Sequence, residues 1–501
     1  MKQTRQIIFV LLLSVTFYLT FFSEQPFFIR ALAAAVYLII VLSVCYVLIL
    51  ENRSPYKTLV WIYAILFFPV AGYIFFIYSG QLQVRGHLFD SKRRDNQRYL
   101  EPLIDKNTSS GWNQLNREEQ FISNRIEEEA GFPINFSSEV SVLKDGDETF
   151  PAIKERLREA KDYIHMEYYT FRDDQIGQEI IDILKEKAEL GLEVKVIFDA
   201  AGSIGMSGHA KRSMKKSGVE MACFHPIKSG FFTQKINFRN HRKIFVIDGD
   251  TAFVGGLNIG DEYLGRDPKI GFWRDTHLKV EGEAIRSLET IFMIDWSYLK
   301  DEVLDLDTYT PVQNTEELST GGVQILSSGP DANRGMISEL YFNMIANARH
   351  SVWIATPYFV PDKDIRTALS LAAKKGIDVK LMVPEISDGF LPKYATRSYF
   401  GKFLDKGIDI YQYEKGFMHQ KIMIVDGQSA SIGTANVDFR SLNLNFEVNA
   451  FLFRTSSVTS LIDNYKQDME HSHKVDAKAY RNRGIVVRTK ESFARLFSPA
   501  L

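Results

Sequence analysis

The stretch HRKIFVID, His241 to Asp248, returns as HQKIMIVD, His419 to Asp426. This pattern constrains the fold because its surroundings repeat with it. VSVLKDG from Val140 is echoed by VQILSSG from Val323, and GLEVKVIFDA from Gly191 by GIDVKLMVPE from Gly376. In the first half, FPAIKERLREAKDYIHMEYYTF passes from a helical period to an apolar strand. Each half reads strand, helix, strand, helix, strand, then the His-x-Lys strand. Such alternation predicts α/β layers. The expectation is two like α/β domains, 136–310 and 311–501, each supplying one copy of the motif to a shared site.

Successive strand residues point to opposite faces. His241 and Lys243 therefore share a face and Asp248 takes the other; the same holds for His419, Lys421 and Asp426. The motif aspartates are expected to hold local structure at the strand end rather than to partner their own histidines. A histidine beside a lysine suits an anion. The ammonium supplies a charge and three donors, and imidazole serves as nucleophile or general acid near neutral pH. VGGLN places Asn258 seventeen residues after His241, and IGTAN places Asn436 seventeen after His419. Glycine admits close backbone approach, and an asparagine amide can donate to an oxyanion. A nucleophilic histidine also needs its tautomer fixed. Asp275 in FWRDTH is the candidate within the first half, and Glu447 in NFEV within the second. A single His-x-Lys-x4-Asp match would read as an edge-strand histidine. Two copies with the same glycine and asparagine offsets read as a site.

The chain ahead of the repeat is of another kind. Ile7–Phe22, Ala31–Leu50 and Leu59–Tyr78 are apolar runs without a charge. A membrane helix needs roughly 20 such residues; the second and third runs reach that length and the first is slightly short. Pro69 and Gly72 in the third are compatible with a membrane helix. The bulky FFSEQPFF after the first run offers no small-x-small cleavage site, which argues against a secretory signal. Residues 1–80 are thus expected to form two to three transmembrane helices. Residues 81–135 form a connector opening on Arg85, Lys92, Arg93, Arg94 and Arg98. That cluster places the remainder on the cytoplasmic side of a multi-pass protein and could hold anionic headgroups.

The net charge of −2 and the three apolar runs speak against a nucleic-acid partner. The two cysteines, Cys45 and Cys223, imply no disulfide framework. FHPIKSGFFTQKINF, with Phe224, Phe231 and Phe232, is a candidate lipid-facing rim. KRSMKKSG before it carries Lys211, Arg212, Lys215 and Lys216, which could meet headgroups; the alternatives are an ordinary surface loop and a solvated helix face.

The paired motifs resemble those of the phospholipase D superfamily. NFRNHRKIFVIDG, FVGGLNIGDEY, WRDTHLKVEG, TPYFVPD and the terminal ESFARLFSPAL narrow the resemblance to bacterial cardiolipin synthases, whose membrane region the apolar start is also similar to. The resemblance implies an α/β enzyme with two pseudo-symmetric domains sharing one active site in the bacterial cell membrane. It implies transfer of a phosphatidyl group from one phosphatidylglycerol to another through a phosphohistidine, giving cardiolipin and glycerol. His241 is read as nucleophile and His419 as acid and base. Lys243, Lys421, Asn258 and Asn436 would hold the non-bridging oxygens, and Asp275 and Glu447 would orient His241 and His419. It implies no cofactor and no catalytic metal, and a lysine beside each histidine is a poor neighbour for a dication. The alternative is a membrane-bound hydrolase with the same residues and water as acceptor. A non-catalytic scaffold would predict decay of one motif, and both are intact.

Overall fold

The computed structural model describes residues 2–50, 55–79, 89–100, 103, 110–226, 237–310, 321–331 and 335–498. The chain divides into an N-terminal unit within Met1–Leu88 and a larger mixed α/β unit formed by Phe89–Ile227 and Phe238–Leu501.

In the N-terminal unit the three apolar runs become four helices, Lys2–Phe21, Phe27–Leu50, Pro55–Phe67 and Pro69–Ser79. The third run is therefore not one straight span. Pro69 has no N–H to continue the helix, and the chain breaks there and doubles back. Trp61 comes within 5.3 Å of Phe76, ring centre to ring centre. Gly72 makes the return possible, because a Cβ there would lie 2.4 Å from the Ala64 carbonyl oxygen. Among the described residues one helix, Phe27–Leu50, is long and apolar enough to cross a membrane. Leu13, Ile40, Val41, Leu48, Ile65 and Phe76 form the interior of the unit, while Phe27, Phe28, Phe67 and Phe68 stay exposed.

Among the described residues the larger unit contains two large sheets and two two-stranded ones. The first runs Ser138–Lys144, Thr276–Gly282, Thr251–Gly255, Lys243–Ile247, Tyr163–Tyr168, Glu193–Asp199, Glu220–Phe224. The second runs Ile134–Asn135, Gly322–Ser328, Glu447–Phe453, Ser429–Gly433, Ile422–Val425, Ser351–Ala355, Asp378–Pro384, Asp409–Tyr413, Ser472–Lys474. From Gly322–Ser328 to Asp409–Tyr413 the second sheet repeats the pairing sense of the first, four antiparallel contacts followed by two parallel ones. The central strands are buried along their whole length. Tyr163–Tyr168 and Lys243–Ile247 bury every residue, as sheets covered on both faces do.

Three expectations change here. Each half has one more helix and strand before its motif than the sequence pattern gave, Gly208–Lys216 with Glu220–Phe224 and Phe390–Leu404 with Asp409–Tyr413. On the first of these helices Arg212, Lys215 and Lys216 are exposed, while Lys211 lies over the Phe198 ring. Phe224 is no rim residue. It is fully buried at a strand end, packed on His225, Tyr298 and Phe446; Phe231 and Phe232 lie outside the described residues. Lys92 is not a headgroup ligand either. It sits on the helix Asp90–Leu100 at 1% exposure, and its ammonium lies 2.5 Å from Asp295 and 3.1 Å from Asp331. Arg94 and Arg98 of the same cluster are exposed, and Arg93 pairs with Asp90. Arg85 lies outside the described residues.

Candidate active site

Each motif histidine sits just before its strand, where the chain pairs with the opposite half. The short strand Gly416–Met418 runs parallel to Phe272–Arg274, and the His419 N–H donates to the Arg274 carbonyl at 2.7 Å. Likewise Asn240 bridges Phe446, and the His241 N–H donates to the Phe446 carbonyl at 2.9 Å. The next residue on each opposing segment is a carboxylate, Asp275 in one case and Glu447 in the other.

The histidine supports therefore cross. His241 Nδ1 lies 2.9 and 3.1 Å from the two oxygens of Glu447, and His419 Nδ1 lies 2.7 Å from Asp275. The expectation that each carboxylate serves the histidine of its own half is corrected. The two strand junctions exchange partners, a pairing that sequence order does not reveal. Both carboxylates are fully buried. Burial alone would raise them. For Glu447 the His241 charge and hydrogen bond outweigh it, and for Asp275 the charges of Lys421 and His419 do, so both stay below their ordinary values. An ionised acceptor at Nδ1 fixes the tautomer that leaves the lone pair on Nε2. The paired glycines have a definite use here. A Cβ on Gly256 would lie 2.0 Å from an Asp275 carboxylate oxygen.

The lysines stand behind the histidines. Lys243 donates to the His241 carbonyl at 2.6 Å, and Lys421 contacts the His419 carbonyl and ring, 2.7 Å from Nδ1 and 3.0 Å from Nε2. Burial lowers both ammoniums, Lys243 to about 7 and Lys421 to about 8, against the pull of the carboxylates. Burial and then Lys421 lower His419 to about 3. His241 is lowered too, by burial, while Glu447 opposes the shift.

Asp248 and Asp426 lie at the far strand ends, with φ of 52° and 53°. Asp248 accepts the N–H groups of Lys161, Asp162 and Tyr163, and Asp426 those of Arg349, His350 and Ser351. Each motif aspartate thus ties the end of its strand to the start of the neighbouring one. Asn258 accepts from the Thr170 N–H at 3.1 Å and donates to the Tyr263 hydroxyl at 2.9 Å. Asn436 is buried beside Asp438.

His241, His419, Asn258 and Asn436 line one cavity of about 430 Å³. Its wall includes residues that the sequence reading did not single out, among them Tyr169, Arg239, Trp273, Tyr358, Asp438 and Arg440. Tyr169 packs edge-on to His241 and Trp273 lies against His419, both with centres 5.0 Å apart. Trp273 lies in the stretch FWRDTH; Tyr169 follows the strand Tyr163–Tyr168 and carries no motif signal of its own. Among the described residues no group of three or more His, Cys, Asp or Glu is placed to hold a metal ion.

The residue between His and Lys is also placed. Arg242 is buried, ion-paired to Asp295, and donates to the Glu447 carbonyl at 3.3 Å. Gln420 donates to Asp468 at 2.7 Å and accepts from Thr276 at 2.9 Å.

A family model described as "Cardiolipin synthase, PLD-like domain" matches residues 153–296 and 341–471. The chain is 50% identical over 469 residues to the probable cardiolipin synthase YwiE of Bacillus subtilis, covering 93% of each. It is 44% identical over 503 residues to a cardiolipin synthase of Halalkalibacterium halodurans, covering 99% of each. Among solved structures, phosphatidylserine synthase of Haemophilus influenzae shares the fold, with a TM-score of 0.56 at 17% identity over 72% of this chain and 93% of that one. With both motifs intact at one cavity, the chain belongs to the cardiolipin synthase family of the phospholipase D superfamily.

Proposed function

We propose that the chain joins two phosphatidylglycerols into cardiolipin and releases glycerol. The observation that carries this reading is the single cavity lined by two histidines, each held through Nδ1 by a carboxylate from the opposite half. His241 Nε2 attacks the donor phosphorus, and the bond from phosphorus to the glycerol oxygen breaks. His419 gives that oxygen its proton. The terminal hydroxyl of the second phosphatidylglycerol then returns a proton to His419 and attacks phosphorus. The phosphorus–nitrogen bond breaks and His241 is restored. The assignment of His241 as nucleophile and His419 as acid and base follows the family resemblance. Burial and Lys421 lower His419 to about 3, and the phosphodiester anion offsets Lys421 and favours the protonated form. Lys243, Lys421, Asn258 and Asn436 stabilise the charge on the non-bridging oxygens. Asp248 and Asp426 keep the motif strands in register.

The same reading treats the chain as an anchor over 1–80, a connector over 81–135, and two pseudo-symmetric domains over 136–310 and 311–501. Its anchor is centred on the span Phe27–Leu50 in a bacterial cell membrane. Exposed Arg94 and Arg98 support a cytoplasmic catalytic unit.

The test uses the full chain in mixed micelles with phosphatidylglycerol labelled in headgroup and acyl chains. Glycerol released together with cardiolipin, and lost in His241→Ala and His419→Ala, is the expected result. Phosphatidic acid as the sole lipid product would make water the acceptor and replace the synthase by a hydrolase.

A further inference from the structure

The reaction centre is duplicated, yet its two substrates play different parts. One phosphatidylglycerol is cleaved at its phosphodiester. The other keeps its phosphodiester and offers a hydroxyl one glycerol's length away. A cavity that selects this second lipid over water or a free alcohol must recognise its intact phosphate, because the hydroxyl alone carries no distinction. Residues for that task need not occur in both halves, whereas residues for the chemistry do.

Two cavity-lining cations meet this condition. Arg239 stands two residues before His241, and the matching position before His419 is Phe417. Arg440 stands four residues after Asn436, and the matching position after Asn258 is Glu262, which is spent on an ion pair with Arg172 at 2.7 Å. Arg239 is 3% exposed and is aimed by Asp199, 3.3 Å from its Nη1. That carboxylate is shared with the N–H groups of Asn240, Ala201 and Gly202. Two carboxylates share the wall: Asp438 caps the Ser441 N–H at 2.7 Å, and exposed Asp388 takes the Tyr358 hydroxyl. Guanidinium is the side chain best matched to a phosphodiester, offering planar paired donors.

We propose that Arg239 and Arg440 hold the intact phosphodiester of the acceptor phosphatidylglycerol, so that the cavity favours an anionic lipid alcohol over water or glycerol. This rests on the synthase reading above and gives that reading its acceptor site.

The experiment compares two reactions of the full chain in one mixed-micelle preparation. Cardiolipin formation needs both phosphates. Exchange of labelled glycerol into phosphatidylglycerol needs the donor phosphate and both histidines, but its acceptor has no phosphate. Arg440→Gln decides the matter, since Arg440 is only half-buried on a short helix and its loss is the less disruptive. Cardiolipin formation is expected to fall at least about tenfold more than exchange, the scale of one charge-assisted contact. Arg440→Lys should recover part of it, and Arg239→Gln should show the same split. Equal loss of both reactions in Arg440→Gln, or loss of neither, overturns the proposal. A wild-type chain that exchanges glycerol but makes no cardiolipin overturns the synthase reading, and the acceptor site with it.

Discussion

The two histidines are held alike but braced differently. Behind His419, Gln420 meets Asp468, and the counter-charge comes from Arg274, whose Nε lies 2.9 Å from Asp468. Arg274 also reaches Asp145 at 3.0 Å, so this brace is closed within the two sheets and the helices upon them. Behind His241 the equivalent position is Arg242, and it faces Asp295. Glu167 joins that pair. Burial and the neighbouring Asp295 raise its carboxyl well above the ordinary range. Asp295 and Asp331 then need a second cation, which is Lys92 from the helix Asp90–Leu100. The chemistry is duplicated and the bracing is not. The first brace depends on a segment that precedes both sheets in sequence.

The largest expected effect breaks the likeness of the histidines themselves. His241→Ala and His419→Ala should each lower turnover by about 10²–10⁴-fold or more, the range for a general acid–base or nucleophilic group. They should differ in what accumulates. With acyl-labelled donor, a quenched His419→Ala enzyme should retain a phosphatidyl adduct on His241, and His241→Ala should retain none. An adduct on His419 in the latter would reverse the roles.

Next comes the unequal bracing. Lys92→Met leaves Asp295 and Asp331 with one buried cation between them. Breaking a buried pair in this way costs about 3–5 kcal/mol, read from unfolding of the larger unit in detergent. Lys92→Met combined with Asp331→Asn should recover part of that loss. A Lys92→Met protein as stable as the wild type would mean that the Lys92 brace is not formed. Gln420→Ala is the counterpart on the other side. Asp468 keeps Arg274, so the expected cost is only about 1–3 kcal/mol, that of an unmet hydrogen bond. Equal costs for the two substitutions would erase the distinction between the braces.

This difference also marks where the sequence stopped being legible. The α/β repeat was readable because strands and helices announce themselves by period, and the motif residues because two copies share offsets. Asp248 and Asp426 could be assigned a structural role from strand alternation alone. The exchange of Asp275 and Glu447 could not be read, because it depends on how the halves pair through Phe272–Arg274 and Gly416–Met418. Those strands are three residues long and carry no periodic signal. Lys92 was misread for a related reason. A basic cluster after an apolar run looks the same whether its lysines meet lipid or a buried aspartate, and only burial distinguishes them. The break at Pro69 was underread because composition measures how apolar a run is, not whether it is straight.

The smallest expected effect concerns the lysines. Burial lowers Lys243 to about 7 and Lys421 to about 8, against about 10.4 for a free lysine. A lowered ammonium is charged below its pKa and neutral above it. As pH rises from 6 to 9, the phosphate site therefore loses positive charge over a range in which an ordinary lysine would lose none. His419, lowered to about 3, stays neutral across the same range and adds no limb of its own in the free enzyme. The expectation is a kcat/KM for phosphatidylglycerol that falls several-fold above pH about 7 to 8, mainly through KM. Lys421→Arg places a group that remains charged at that position and should lessen the alkaline fall, at some cost in rate from the altered geometry. The same substitution at Lys243 should also lessen the alkaline fall. A profile flat to pH 9.5 would mean that neither ammonium is lowered in the free enzyme. The asymmetry of the halves would then lie in their bracing and in the arginines of the cavity wall.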